Sequence, residues 1–135
     1  MKPRVKRAEP SGRIPGSARA HSSLVAACRT LLTLRKIPNA AINQRPTLTG
    51  KGYRTPGATP GTWDIVACLP PDPRAFGPQE SGRCLWVECK SSLRATTSSA
   101  QRRFSDEWTA AGALCWVIRD IAELDAKLTE IRERR

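Results

Sequence analysis

The sequence predicts an α/β domain built on a mixed sheet of about four strands flanked by helices. Stretches with apolar residues at helical spacing alternate with short apolar runs bounded by Pro or Gly that read as strands. The central runs are apolar on both faces apart from a few charges, as strands covered by helices on both sides are. The resulting order is α-β-β-β-α-β-α, with no internal repeat. At 135 residues the chain suits one domain with a substantial core and is too short for two.

Residues 1–19 carry Lys2, Arg4, Lys6, Arg7, Arg13 and Arg19 against the single acid Glu9, interrupted by Pro3, Pro10 and Pro15. Such a segment buries too little apolar area to order itself, so it reads as a flexible basic arm preceding a domain over 20–135. From His21 to Lys36, Leu24, Val25, Cys28, Leu31, Leu32 and Leu34 recur at helical spacing. Ser22 or Ser23 is available as N-cap, and Pro38 stops the helix. Ala40 to Arg45 reads as a short strand. Pro46 to Pro60 reads as a long loop containing Gly50, Gly52, Gly57, Lys51, Tyr53 and Arg54, and loops of that length commonly bind something.

Thr62 to Leu69 and Arg83 to Lys90 are the second and third strands, joined by the turn-rich segment 70–82 with Pro70, Pro71, Pro73, Gly77 and Pro78. Thr97 or Ser98 opens a helix that runs to about Ala111 and is closed by Gly112. Ala113 to Ile118 is the fourth strand. Ile121 to Arg134 is the last helix, with Leu124 and Leu128 facing inward.

Charge bounds the partner. A net charge of +11 and an isoelectric point near 10.4 point to a polyanion, nucleic acid before membrane. No run approaches the roughly 20 apolar residues of a membrane span. The N-terminal stretch lacks the apolar core of a signal peptide, so a cytosolic location is expected. The five cysteines, Cys28, Cys68, Cys84, Cys89 and Cys115, contain no C-x-x-C pair and have one His to join them. They read as buried reduced thiols rather than as a zinc framework or a disulfide scaffold.

Chemistry concentrates in Gly61-Thr62-Trp63-Asp64 and Leu85-Trp86-Val87-Glu88-Cys89-Lys90. Both acids lie in apolar, strand-like runs, where an unpaired carboxylate is costly and a metal ion is one of the few things that justifies it. Glu88 and Lys90 have strand spacing and share a face. If the two runs pair as a hairpin, two carboxylates and an ammonium converge on one point, a trio suited to a divalent cation and to phosphate esters. A metal-dependent nuclease is the expectation. Taken alone, Glu88 and Lys90 also fit a simple ion pair on a solvated strand, and Ser98-Ser99-Ala100-Gln101 fits a capping box.

With Asp64 on the second strand, Glu88-Cys89-Lys90 on the third, Gln101 and Trp108 on the next helix, Gly61 before Asp64, Gly112 after the helix and Trp116-Val117-Ile118 beyond it, the chain resembles the PD-(D/E)XK nuclease superfamily. Within it, the chain looks like the small stand-alone VRR-NUC (virus-type replication-repair nuclease) proteins of phages and prophages, from about His21 to Leu128. The resemblance implies a restriction-endonuclease-like αβββαβ core and cleavage of DNA with Mg²⁺ or Mn²⁺. Asp64, Glu88 and the backbone carbonyl of Cys89 would hold the ion, with the Cys89 thiol turned into the core. Lys90 would orient or help deprotonate the attacking water and stabilise the oxyanion. Gln101 would hold Lys90 or the scissile phosphate. Arg45, Lys51, Arg54, Arg102 and Arg103 are the candidate nucleic-acid contacts.

Stand-alone relatives resemble junction resolvases and act as symmetric dimers, so the narrower expectation is a homodimer cutting branched DNA, Holliday junctions included, in a bacterial or phage-infected cell. The chain departs from the family pattern in one place. A Glu near the start of the first helix is typical, whereas His21, Ser22 and Ser23 stand here; His21 reads first as surface or helix-start polarity, and substitution for that Glu by way of a water is the alternative. The alternative expectation is a DNA-binding module that keeps the fold while catalysis is weakened.

Overall fold

The computed structural model describes residues 16–42, 47–48, 54–55, 59–71, 82–92 and 94–133. Its elements are α1 (Gly16–Leu34), β1 (Asn39–Ala41), β2 (Thr47–Leu48), β3 (Arg54–Thr55), β4 (Ile65–Leu69), β5 (Arg83–Cys89), α2 (Ser99–Ala110), β6 (Leu114–Ile118) and α3 (Ile121–Glu133). Four strands form one mixed sheet in the order β1-β4-β5-β6, flanked by the three helices. β1–β4 and β4–β5 are antiparallel, while β5–β6 is parallel, with α2 as the intervening crossover. The expected α/β class is the one observed, and the three helices and the four strands of the main sheet follow the expected order, with the separate ribbon β2–β3 added to it.

Both faces of the sheet are covered. Ile65, Ala67 and Leu69 of β4 and Leu85, Val87 and Cys89 of β5 pack with Cys28 and Leu32 of α1 and Leu124 and Leu128 of α3. On the opposite face Trp63, Trp86 and Ala113 meet Phe104 of α2. Trp86 takes Phe104 and Trp108 edge-on, at centroid separations of 4.9 and 5.0 Å, a geometry that the ring quadrupoles favour. This two-sided burial explains why β5 is an almost unbroken apolar run: from Leu85 to Cys89 every residue is buried. Arg35 of α1 pairs with Asp125 of α3 and donates to the Thr129 hydroxyl at 3.0 Å, tying the two helices on one face.

α1 and α2 end in turns with a residue at positive φ. Lys36 has φ 60°, with Ile37 N–H donating to Leu32 C=O at 2.9 Å and Lys36 N–H to Thr33 C=O at 2.9 Å. This Schellman turn, rather than Pro38, terminates α1. Gly112, φ 101°, does the same for α2, as expected.

Further details differ from the sequence reading. β4 begins at Ile65 rather than Thr62, so Asp64 precedes the strand instead of lying on it, and β5 ends at Cys89 rather than Lys90. α1 begins at Gly16, inside the stretch read as arm, because no proline interrupts 16–34 and Ala18, Arg19 and Ala20 are good helix formers. Ser22 and Ser23 are therefore exposed interior positions rather than caps, and His21 lies in the second turn; residues 1–15 are outside the described residues. The first strand is Asn39–Ala41 rather than Ala40–Arg45, since it follows the register Asn39↔Ala67 to Ala41↔Ile65, and 43–46 are outside the described residues. The expected loop 46–60 contains the antiparallel ribbon β2–β3, pairing Thr47 with Thr55 and Leu48 with Arg54, residue types that accept extended backbone. Among the cysteines, all free, Cys28 and Cys89 are buried, Cys84 and Cys115 half-buried and Cys68 exposed. Burial on the even-numbered side of β4 fades from Asp64 through Val66 to Cys68. Among the described residues no helix is long and apolar enough to cross a membrane.

Gly61 fixes how α2 approaches the sheet. Its φ is +89°, and a Cβ there would lie 2.7 Å from the backbone carbon and oxygen of Ala100, at the start of α2. Gly112 has a similar φ with open space around it. Gly61→Ala is therefore expected to cost about 2 kcal/mol or more, and Gly112→Ala about 1 kcal/mol, by urea unfolding. Equal costs would show that the contact with Ala100 does not constrain the fold.

Candidate metal centre

Asp64 stands immediately before β4, behind the buried Trp63. Its Oδ2 accepts the Cys89 backbone N–H at 2.8 Å and lies 3.2 Å from His21 Nε2, while its own carbonyl accepts Ile42 N–H at 2.8 Å. The carboxylate is thus pinned where α1, β4 and β5 meet. The pairing Ile65↔Val87 sets Glu88 beside Asp64 one step further along the ladder. The hairpin assumed from sequence is present, and the two acids share one corner.

Glu88 is 3% exposed. Its Oε1 lies 3.7 Å from Lys90 Nζ, and its Oε2 is buried with no hydrogen-bond partner among the described residues. As a carboxylate, Glu88 finds no donor for Oε2 among these residues, a costly state for a buried oxygen that a proton shared with Asp64 or a bound cation relieves. His21, Asp64 and Glu88 each offer one ligand atom, all within 4.8 Å of one another. An imidazole and two carboxylates, with a single ammonium partly offsetting the acids, is a donor set that fits a divalent cation.

Lys90 follows the last residue of β5. Its backbone N–H donates to Ile118 C=O at 2.9 Å, and its Nζ donates to Gln101 Oε1 at 3.1 Å. The same Gln101 oxygen accepts Ser98 N–H at 3.1 Å, and Gln101 N–H donates to Ser98 Oγ at 3.1 Å. The capping role and the role toward Lys90, rivals in the sequence, coexist: the box that starts α2 also fixes the acceptor that steers the lysine. Trp63 Nε1 donates to Gln101 C=O at 3.1 Å, binding α2 to the residue before Asp64.

Burial, then the charge of Asp64 and a hydrogen bond with it, raise the Glu88 pKa from 4.5 to about 8, against the opposing pull of Lys90. Contact with the Cys28 thiol, burial and the nearby acids push the Cys89 thiol up. The Cys89 side chain points into the core, its Sγ 3.9 Å from Cys28 Sγ, as expected for the middle residue of the triplet.

Of the candidate phosphate contacts, Arg102 and Arg103 are exposed near the N-terminal end of α2, just after Gln101. Arg54 lies on β3. Arg45 and Lys51 lie outside the described residues. Two features were under-read from sequence. His21 reaches Asp64 directly, and its spacing of three, four and seven residues to Leu24, Val25 and Cys28 is the signal that it shares the inward face. The Cys89 N–H that holds Asp64 leaves no mark in side-chain types. No protein-family model, curated protein or solved structure matches the chain.

The raised Glu88 pKa has a definite sign. The folded, metal-free protein holds a proton that the unfolded chain has released, so this contribution to stability is complete below about pH 4.5 and is lost as pH rises to about 8. Urea unfolding in EDTA is expected to show stability falling across that window, by at most about 1.4 kcal/mol per pH unit. Glu88→Gln flattens the decline. A wild-type stability that rises through the window would contradict it.

Proposed function

We propose that this protein is a divalent-metal-dependent nuclease that hydrolyses phosphodiester bonds in DNA. The observation that carries the reading is the cluster of ligand atoms from His21, Asp64 and Glu88 within 4.8 Å of one another, with Glu88 buried and Lys90 Nζ 3.7 Å from its Oε1. Asp64 and Glu88 would hold the ion, Mg²⁺ or Mn²⁺, with the backbone carbonyl of Cys89 as a further donor. When bound, the ion supplies Lewis acidity, lowering the pKa of a water and offsetting negative charge on the phosphoryl group.

The chain's own groups divide the remaining work. Lys90, held between Glu88 Oε1 and Gln101 Oε1, presents an ammonium that orients the attacking water and stabilises negative charge developing on phosphorus-bound oxygen. Gln101 keeps that ammonium aimed, because its own position is set by the Ser98 cap and the Trp63 indole. Arg102 and Arg103, at the N-terminal end of α2 where backbone N–H groups also favour anions, would bind a flanking phosphate.

The net charge of +11 supports a polyanionic substrate. DNA as the polyanion, branched DNA such as a Holliday junction as the preferred form, a symmetric homodimer as the working species and the cytosol as its location follow from the likeness to stand-alone VRR-NUC proteins. A domain that only bound DNA would gain nothing from keeping two carboxylates in a buried corner.

Purified protein incubated with labelled four-way junction, flap, duplex and single-stranded DNA is expected to cut in Mg²⁺ or Mn²⁺ and not in EDTA. Asp64→Ala, Glu88→Ala and Lys90→Ala each lower the rate at least about 100-fold, while Lys90→Ala keeps most of the binding. Tight binding without cutting of any of these DNAs, in either ion, would replace the nuclease by a binding module.

A further inference from the structure

We infer that His21 is a direct third side-chain donor to the ion and that it biases the centre toward Mn²⁺ and later first-row ions over Mg²⁺. The inference rests on the metal-centre reading above and adds to it the identity of a ligand and the selectivity that follows. It replaces the water-mediated part assigned to His21 from sequence.

The placement of His21 is built into the fold. α1 carries His21, Leu24, Val25, Cys28 and Leu32 along one side, and Cys28 and Leu32 are fully buried in the core. Cys28 Sγ lies 3.9 Å from the Sγ of Cys89, the residue after Glu88, so the helix is locked in register against β5. Two turns back from Cys28, about 10 Å along the axis, the imidazole arrives at the end of the strand where the carboxylates are. Its Nε2 is 3.2 Å from Asp64 Oδ2. Neighbouring donors on an octahedral ion with bonds of 2.0–2.1 Å are about 3 Å apart, so this separation matches one edge of such a shell.

The second observation is Glu88 itself, 3% exposed, which has no donor for Oε2 among the described residues and contributes a carboxylate oxygen to the same cluster of ligand atoms. The side chain of His21 is 41% exposed, so the ring faces solvent on one side and an ion has a way in. Its chemistry then sets the preference. Mg²⁺ takes oxygen almost exclusively and dehydrates reluctantly, whereas first-row transition ions accept imidazole nitrogen readily. One nitrogen among carboxylate oxygens therefore separates the two classes.

The sequence supplies an unusually clean test, because His21 is the only histidine in the chain. Mn²⁺ is bound to the untagged wild-type protein and pulsed EPR reads nitrogen modulation on the bound ion, with histidine-specific nitrogen-15 labelling to assign it. The ratio of Mn²⁺ to Mg²⁺ affinity is measured in parallel by competition for wild type, His21→Ala and His21→Glu, with circular dichroism to confirm folding. The expected result is histidine nitrogen coupling in the wild type, and a Mn²⁺ to Mg²⁺ ratio that falls about 10-fold or more in His21→Glu, where oxygen replaces nitrogen.

Tight Mn²⁺ binding that requires Asp64 and Glu88 but shows no histidine coupling would overturn the inference and leave the centre standing. Absence of Mn²⁺ binding, or binding indifferent to Asp64→Ala and Glu88→Ala, would overturn the centre itself and the inference with it. The wild-type spectrum alone decides the question of ligation even if a variant fails to fold.

Discussion

Two carboxylates crowded into one buried corner, with a single ammonium beside Glu88 to offset them, form the constraint on which the rest of this structure turns. Removing an ion from water costs several kcal/mol even after relaxation, and a second like charge beside it raises the cost. The metal-free protein answers by holding a proton on Glu88, and Lys90 opposes that answer only in part. Every neighbouring element is arranged to keep the corner intact: β4 and β5 bring the acids together, α1 closes one side, and α2 supplies the acceptor that steers the lysine. A divalent cation relieves the repulsion at its source.

The scaffold's packing serves that corner from both faces of the sheet. On one face the Cys28–Cys89 contact seats α1, so the helix carrying His21 cannot slide without disturbing the residue that donates its N–H to Asp64. On the other, the Trp63, Trp86, Phe104 and Trp108 cluster and the Trp63 indole bond to Gln101 seat α2. The glycine at 61 lets the backbone of Ala100 come close enough for this to happen. Core packing and site geometry are therefore one problem in this fold: a substitution at an uncharged core position, such as Cys28 or Phe104, reaches the centre through the helix that carries it.

Much of this was legible in the residues because burial leaves a periodic trace. The apolar runs around Asp64 and Glu88 announced central strands, and the two acids set among them announced that their carboxylates meet in one corner. Gly112 was readable as the end of α2 because a positive φ selects glycine. What escaped reading were features with no compositional signature. Lys36 adopts a positive φ without being glycine, so the end of α1 was assigned to Pro38 instead. The start of α1 was placed too late because Ser22 and Ser23 look like caps while the true start has only Gly16 and the preceding proline to mark it. The ribbon β2–β3 has two residues in each strand, too few for a period-two pattern. Gln101 was read as serving either the helix cap or the lysine, since one sequence position does not reveal that a single side-chain oxygen accepts from both.

The measurement that bears most directly on the central claim is anomalous diffraction from crystals soaked in Mn²⁺. The account predicts a strong peak at the corner where β4 and β5 meet, within coordination distance of Asp64, Glu88 and the His21 ring. Density showing the two carboxylates in direct contact at full Mn²⁺ concentration, with no anomalous peak beside them or a peak only elsewhere on the surface, would contradict it.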